Sequence, residues 1–301
     1  MKIRAKIIFI LLVMLMPLTS ASSQERFKLG PTFKLGPTFK PGQQARYTIT
    51  TQVDQIITAT GENGISSNVH RELTATVLLR TVGIDDKGII TQEATVEAVS
   101  YRDLIDGQER PLSDSPSSDS PSSDGPLVGQ SLELIFTGQG NLLKAKIPHR
   151  AADLGLADML ISLLRWFPGH DVFINSNWKS TQPAVYSGGR SEIGRNIDTF
   201  YKLVSVEGDT AVVSGTITLN HSGGARITTI DGPLNVNAIG AGKGKTHFQY
   251  DLAGSRMLNG ETEIKFEGRL ANVVPATNAE KSISREGSFV ETAKFSLRLI
   301  E

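Results

Sequence analysis

"HRELTATVLLRTVGIDDKGIITQEATVEAVSY", His70 to Tyr101, decides the fold class. Leu73, Ala75, Val77 and Leu79 recur at every second position, and so do Ile90, Gln92, Ala94, Val96 and Ala98. Thr91, Glu93, Thr95 and Glu97 alternate with the second set. A period of two belongs to a strand with one packed face and one wet face. The link Gly83–Gly88 carries two glycines and two aspartates, so the runs should form an antiparallel hairpin.

Working outward, "ARYTITTQVDQIITA" alternates Tyr47, Ile49, Thr51 and Val53. "SLELIF" and "NLLKAKI" read as a second hairpin, joined through Gly138 and Gly140. Later come "NWKSTQPAVYS", with Trp178 as a core anchor, and a hairpin turning at Glu207-Gly208-Asp209. Another hairpin has its turn between Ala253 and Gly260. The closing strand alternates Phe289, Glu291, Ala293, Phe295, Leu297 and Leu299.

One segment breaks the pattern. In "PHRAADLGLADMLISLLRWFPG", Pro148 to Gly169, the polar residues Asp158, Ser162 and Arg165 make a single narrow stripe. Such a helix is buried over a wide face, and Pro168-Gly169 ends it. The expected architecture is therefore mainly β. It is a curved antiparallel sheet or half-barrel of about ten strands, packed on one buried central helix at about 150–167. The β-rich domain spans 43–301, either whole or as two lobes, 43–148 and 170–301, joined by that helix.

The N-terminus reads as an address. Lys2, Arg4 and Lys6 precede the apolar run Ile7 to Leu18, and small residues place a cleavage site after Ala21, or after Ser23. The run is shorter than the roughly 20 residues a membrane-spanning helix needs. The expectation is a signal peptide over 1–21, a periplasmic or secreted protein, and contact with a membrane only through that cleaved segment. There is no cysteine, so stability must come from packing rather than disulfides. The chain has 31 basic and 31 acidic residues; without Lys2, Arg4 and Lys6 the balance is 28 to 31. With no basic block beyond the leader, nucleic acid is not an expected partner.

Two perfect short repeats frame the first strands. "FKLGPTFKLGPTFKPG", Phe27 to Gly42, doubles a hexapeptide, and "DSPSSDSPSSDGP", Asp114 to Pro126, doubles a pentapeptide. Units this short cannot each form a supersecondary element. Residues 22–42 read as a flexible spacer, so that deleting Phe27–Thr38 should leave the melting temperature unchanged. Residues 112–127 read as a disordered loop.

The tempting motifs fail on context. "IGAGKGKT", Ile239 to Thr246, has Ile239 where a phosphate-cradling loop needs glycine, and strand-like sequence follows where a helix must open. It reads as a flexible glycine-rich connection. Ser176 and Lys179 have the Ser-x-x-Lys spacing of penicillin-binding enzymes but lead into a strand. His70, His149, His170, His221 and His247 form no metal-ligand spacing. No catalytic residue, metal ligand or cofactor is expected.

The stretch "GKGKTHFQYDLAGSRMLNGETEIKFEG" resembles the strand-Asp-Gly-strand hairpin of an uncharacterised group of exported bacterial proteins, domain of unknown function 6263. The overall layout is more distantly similar to the half-barrels of periplasmic lipoprotein carriers. This resemblance implies a β-rich envelope protein. With it, Leu160, Leu164, Trp166 and Phe167 on the greasy helix become candidate contacts for an apolar ligand such as lipid, the helix acting as a lid. The alternatives are a structural or protein-interaction module of the envelope with no small ligand, and an exported hydrolase.

Overall fold

The computed structural model describes residues 31–36, 39–59, 65–110, 127–137, 142–146, 167–183, 194–229, 232–275 and 286–301. They contain twelve strands: β1 (Gln44–Ala59), β2 (Ile65–Ile84), β3 (Ile90–Ile105), β4 (Gln108–Arg110), β5 (Ser131–Phe136), β6 (Leu142–Lys146), β7 (Asn177–Pro183), β8 (Gly194–Glu207), β9 (Thr210–Thr229), β10 (Gly232–Asp251), β11 (Arg256–Pro275) and β12 (Gly287–Leu299). All belong to one antiparallel sheet, ordered β6-β5-β3-β2-β1-β12-β11-β10-β9-β8-β7, with β4 pairing β3.

The first and last strands meet at the centre. β1 and β12 pair from Tyr47↔Leu299 to Ala59↔Gly287, so the strands before residue 148 and those after residue 170 are hydrogen-bonded into the same sheet. Every other connection in the ladder joins strands adjacent or nearly adjacent in sequence, as short hairpin links require. The β8–β9 turn falls at Gly208, with φ 58°, a value at which glycine has no Cβ to clash. Asp106-Gly107 turns the chain from β3 to β4 with φ of 52° and 79°, the left-handed pair that a two-residue hairpin prefers.

Three expectations are corrected, and two others fall almost wholly outside the described residues. There are twelve strands among the described residues rather than about ten; β4, of three residues, is too short to show a period. The expected central helix at about 150–167 lies outside the described residues apart from Phe167, and no helix occurs among the described residues. "IGAGKGKT" is not a connection but the middle of the 20-residue strand β10. In β3, Ala98 is exposed although Val96 is buried. A bulge explains it: Thr76 pairs Ala98 while Val77 pairs Val96, and the extra residue reverses the faces beyond it. Of the loop 112–127 only Leu127 is described, and it is buried.

One face of the sheet is apolar. Its main cluster runs from Leu132, Leu134 and Phe136 of β5 through Leu73, Ile49 and Leu297 to Phe248, Val213 and Leu203 of the other half. A second cluster joins Ile57, Leu219, Ala238, Phe266, Leu270 and Phe289. The opposite face carries the alternate residues, among them Lys245, Glu261, Glu263 and Lys294. On this wet face Arg46 holds Glu97 by two hydrogen bonds, of 2.7 and 3.1 Å, and also pairs with Glu301.

Candidate ligand-binding face

A single sheet leaves one apolar face in need of a cover. Part of that cover comes from short segments outside the strands. Phe33 exchanges two backbone hydrogen bonds with Val172, 2.6 and 2.9 Å, in an isolated bridge. Leu35, two residues on, is buried to 2% exposure, and Phe39 packs against the same cluster. The Tyr250 hydroxyl donates to the carbonyl oxygen of Gly36 at 3.0 Å. Leu127 and Val172 are buried there too. Residues 33–36 and 39–42 thus form a strap on the sheet, where the sequence suggested a spacer. The strap ends where Gly42 donates to Thr81 and Thr81 to Gln43, joining β1.

Phe167 lies in the same place. Its ring meets Tyr250 edge-on, with centroids 5.8 Å apart, and it packs on the main cluster. Burial raises the Tyr250 hydroxyl well above the ordinary tyrosine range; a hydrogen bond with Ser255 opposes it, and Tyr47 and Asp251 add smaller contributions. Burial likewise pushes Tyr47 and Tyr201 up to about 12. All three stay neutral and act as hydrogen-bonding, apolar-bodied side chains.

Farther along the face, β10 presents Gly240, Gly242 and Gly244 at alternate positions. These glycines make room for aromatic rings. A Cβ on Gly240 would stand 2.9 Å from the Phe266 ring and 2.7 Å from the Glu267 carbonyl oxygen; one on Gly268 would stand 2.8 Å from the Phe289 ring. Phe266 and Phe289 then pack 4.9 Å apart. Between the two clusters lie half-buried apolar residues of the central strands, Val53, Ile264 and Phe295. The polar residues among them are paired. Gln55 donates to Glu291 at 3.0 Å, and Arg71 to Asp103 at 3.2 Å.

On the wet face a groove of about 940 Å³ crosses seven strands, from Thr50 and Gln52 of β1 to Phe200 and Lys202 of β8 and Asn177 of β7. Its charges alternate: Lys245, Glu263 and Lys294 lie in one cross-strand row, with Lys294 and Glu263 3.9 Å apart. Phe200 is half exposed in it, with the Lys179 ammonium 5.4 Å from its ring. Among the described residues, no three histidine, aspartate or glutamate side chains are grouped to hold a metal ion.

Of the four candidate contacts, Phe167 sits against the apolar face. Leu160, Leu164 and Trp166 lie outside the described residues. Sequence reasoning missed the strap and the groove. The strap had a signal, since Phe and Leu at positions one and three of the hexapeptide form an apolar alternation; the groove depends on cross-strand rows that only the register creates.

No protein-family model and no curated relative matches the chain, so the resemblance to the exported family gains no support from them. Among solved structures, the chain is similar to lipovitellin, in a structure concerned with lipid-protein interactions. The TM-score is 0.44 at 12% identity, over 87% of this chain and 25% of that one, so the chain spans about a quarter of lipovitellin. It is also similar to OccK7 (OpdD) of Pseudomonas aeruginosa, with a TM-score of 0.22 at 8% identity, over 86% of this chain and 99% of that one. Neither likeness reaches a shared fold.

Proposed function

We propose that the protein is an exported, non-enzymatic cell-envelope protein that binds or carries an apolar ligand such as lipid on the apolar face of its sheet. One observation carries the reading. Part of the cover on that face consists of short segments rather than a second sheet, and the strap is attached through one bridge and a hydrogen bond to Gly36. Separating that cover costs about 1 kcal/mol net for each such hydrogen bond and about 2 kcal/mol for the burial of Leu35, which an acyl chain offsets at about 0.8 kcal/mol per buried methylene. The half-buried Val53, Ile264 and Phe295 lie at the middle of the face, where an acyl chain would extend the two clusters into one. The polarity of the other face argues for a soluble carrier. A membrane barrel needs a continuous apolar lipid-facing band, and here the exposed apolar residues of the wet face, such as Ile56, Phe200 and Ile239, are interspersed with exposed lysines and glutamates.

Native mass spectrometry of the mature protein from its own host, followed by solvent extraction, tests this. A reproducible adduct of lipid mass is the expected result. A bare chain mass at every gentle setting would overturn it and favour a second reading, an envelope interaction module. The wet groove with its exposed Phe200 supports that alternative, since a half-exposed aromatic among alternating charges suits a protein partner.

A further inference from the structure

The strap site holds one Phe-Lys-Leu-Gly tetrapeptide, and the sequence contains that tetrapeptide twice. The described occupant is Phe33-Lys34-Leu35-Gly36. Phe33 supplies the bridge to Val172, Leu35 fills the buried position, Lys34 points to solvent, and Gly36 offers its carbonyl to Tyr250. Phe27-Lys28-Leu29-Gly30 has the same four residues in the same order, followed by the same Pro-Thr. Every interaction the site makes with the second copy is available to the first.

We infer that the strap is a two-register device, in which Phe27–Gly30 exchanges with Phe33–Gly36 in the same site by a six-residue slip. The occupant is this chain's own first copy. With the second copy bound, residues 37 and 38 link Gly36 to Phe39. With the first copy bound, residues 31 to 38 make the same link from Gly30. The contacts are identical, so the registers differ mainly in loop closure. A link four times longer is disfavoured by about eightfold. The slipped register is thus a minor state. It draws in six residues of the N-terminal arm and adds them to the link before Phe39, while keeping the apolar face covered.

The absence of cysteine makes the test direct. Phe33 and Val172 form a hydrogen-bonded antiparallel pair, a spacing of about 5.5 Å between Cα atoms that a disulfide can span. Three full-length variants are oxidised mildly: Phe33→Cys/Val172→Cys, Phe27→Cys/Val172→Cys and Lys28→Cys/Val172→Cys. The first reports that the substituted site still folds and crosslinks. The expected result is an intramolecular crosslink from position 27, forming at least about eightfold more slowly than from position 33 because the intact second copy competes, with position 28 trailing well behind. A position 27 that crosslinks no faster than position 28, while position 33 crosslinks readily, overturns the exchange. Crosslinks from position 27 found only between two chains would also overturn it, showing that the second occupant comes from another molecule.

Discussion

The hydroxyl of Tyr250 donates to the carbonyl oxygen of Gly36 at 3.0 Å, tying β10 to a residue 214 positions earlier in the chain. The phenol body belongs to the core and its tip holds the strap. Tyr250→Phe keeps the ring, its edge-on contact with Phe167 and its burial, and removes the hydroxyl with its bonds to Gly36 and Ser255. The expected loss is about 1 kcal/mol, read as a lower urea midpoint with an unchanged slope. Stability unaffected by the change would mean that the strap is held by Leu35 and the Phe33 bridge alone.

Gly240 tests the aromatic packing on the glycine row. Its backbone is ordinary strand, so alanine would suit it conformationally were the space open. The obstacles are the Glu267 carbonyl oxygen and the Phe266 ring, both within 3.0 Å of the new methyl group. Gly240→Ala should therefore destabilise by about 1–3 kcal/mol, the usual cost of overpacking. Gly224, with nothing within 4 Å of its would-be Cβ, is the control. Gly224→Ala should leave the melting temperature unchanged or slightly raised.

His70 gives the fold a small dependence on pH. Its Nδ1 lies 2.6 Å from Asp54 and its Nε2 3.2 Å from Glu72. The hydrogen bond to Asp54 raises the imidazole above its ordinary 6.5, with Glu72 adding to the effect and desolvation opposing it. A raised value means the folded state binds the proton more tightly than the unfolded one. The stabilisation is fully present below 6.5 and is lost as pH rises through the folded value. All three side chains are partly exposed, so solvent screening keeps the contribution below about 1 kcal/mol. Comparing wild type with His70→Gln at about pH 5 and about pH 9 isolates it. The gap in melting temperature between the two proteins should shrink at the higher pH.

The proposed ligand face gives a paired test on adjacent residues. Ile264 lies half-buried on the apolar face, and Glu263 is exposed on the wet one. Ile264→Asn should reduce the lipid adduct seen by native mass spectrometry several-fold, because an amide against an acyl chain leaves its hydrogen bonds unmade. Glu263→Gln should leave the adduct unchanged. Equal effects from both would remove the apolar face as the binding surface.

The strands were legible because burial on one face imposes a period of two. The alternations around Leu73, Tyr47 and Phe289 mark buried and half-buried positions in the structure. The turn at Glu207-Gly208-Asp209 falls between β8 and β9 as read. The next turn spans Leu252 to Ser255, at the start of the expected interval. Two features resisted reading. Gly240, Gly242 and Gly244 look like a connection because glycine alone carries no face; only Phe266 across the strand shows what the gaps accommodate. The pairing of β1 with β12 joins the two ends of the chain, and no local period encodes a partner more than 200 residues away. Among the four candidate contacts, Phe167 packs against the apolar face, and its apolar setting in the sequence is consistent with that packing. The strap was not legible, because repetition looked like a tandem spacer when one of its copies is a packed segment.

That packed segment reverses the expected outcome of a deletion. Removing Phe27–Thr38 takes away both copies of the hexapeptide, including Leu35 at 2% exposure and the backbone partner of Val172. Burying a leucine side chain contributes about 2 kcal/mol, so the melting temperature should fall clearly. Removing Phe27–Thr32 alone yields the same sequence as removing Phe33–Thr38 alone, since the copies are identical. One copy then remains beside Phe39, and the melting temperature should match that of the intact protein. A twelve-residue deletion that melts like wild type would return the segment to a spacer. A six-residue deletion that already destabilises would show that both copies are docked at once, each in its own site.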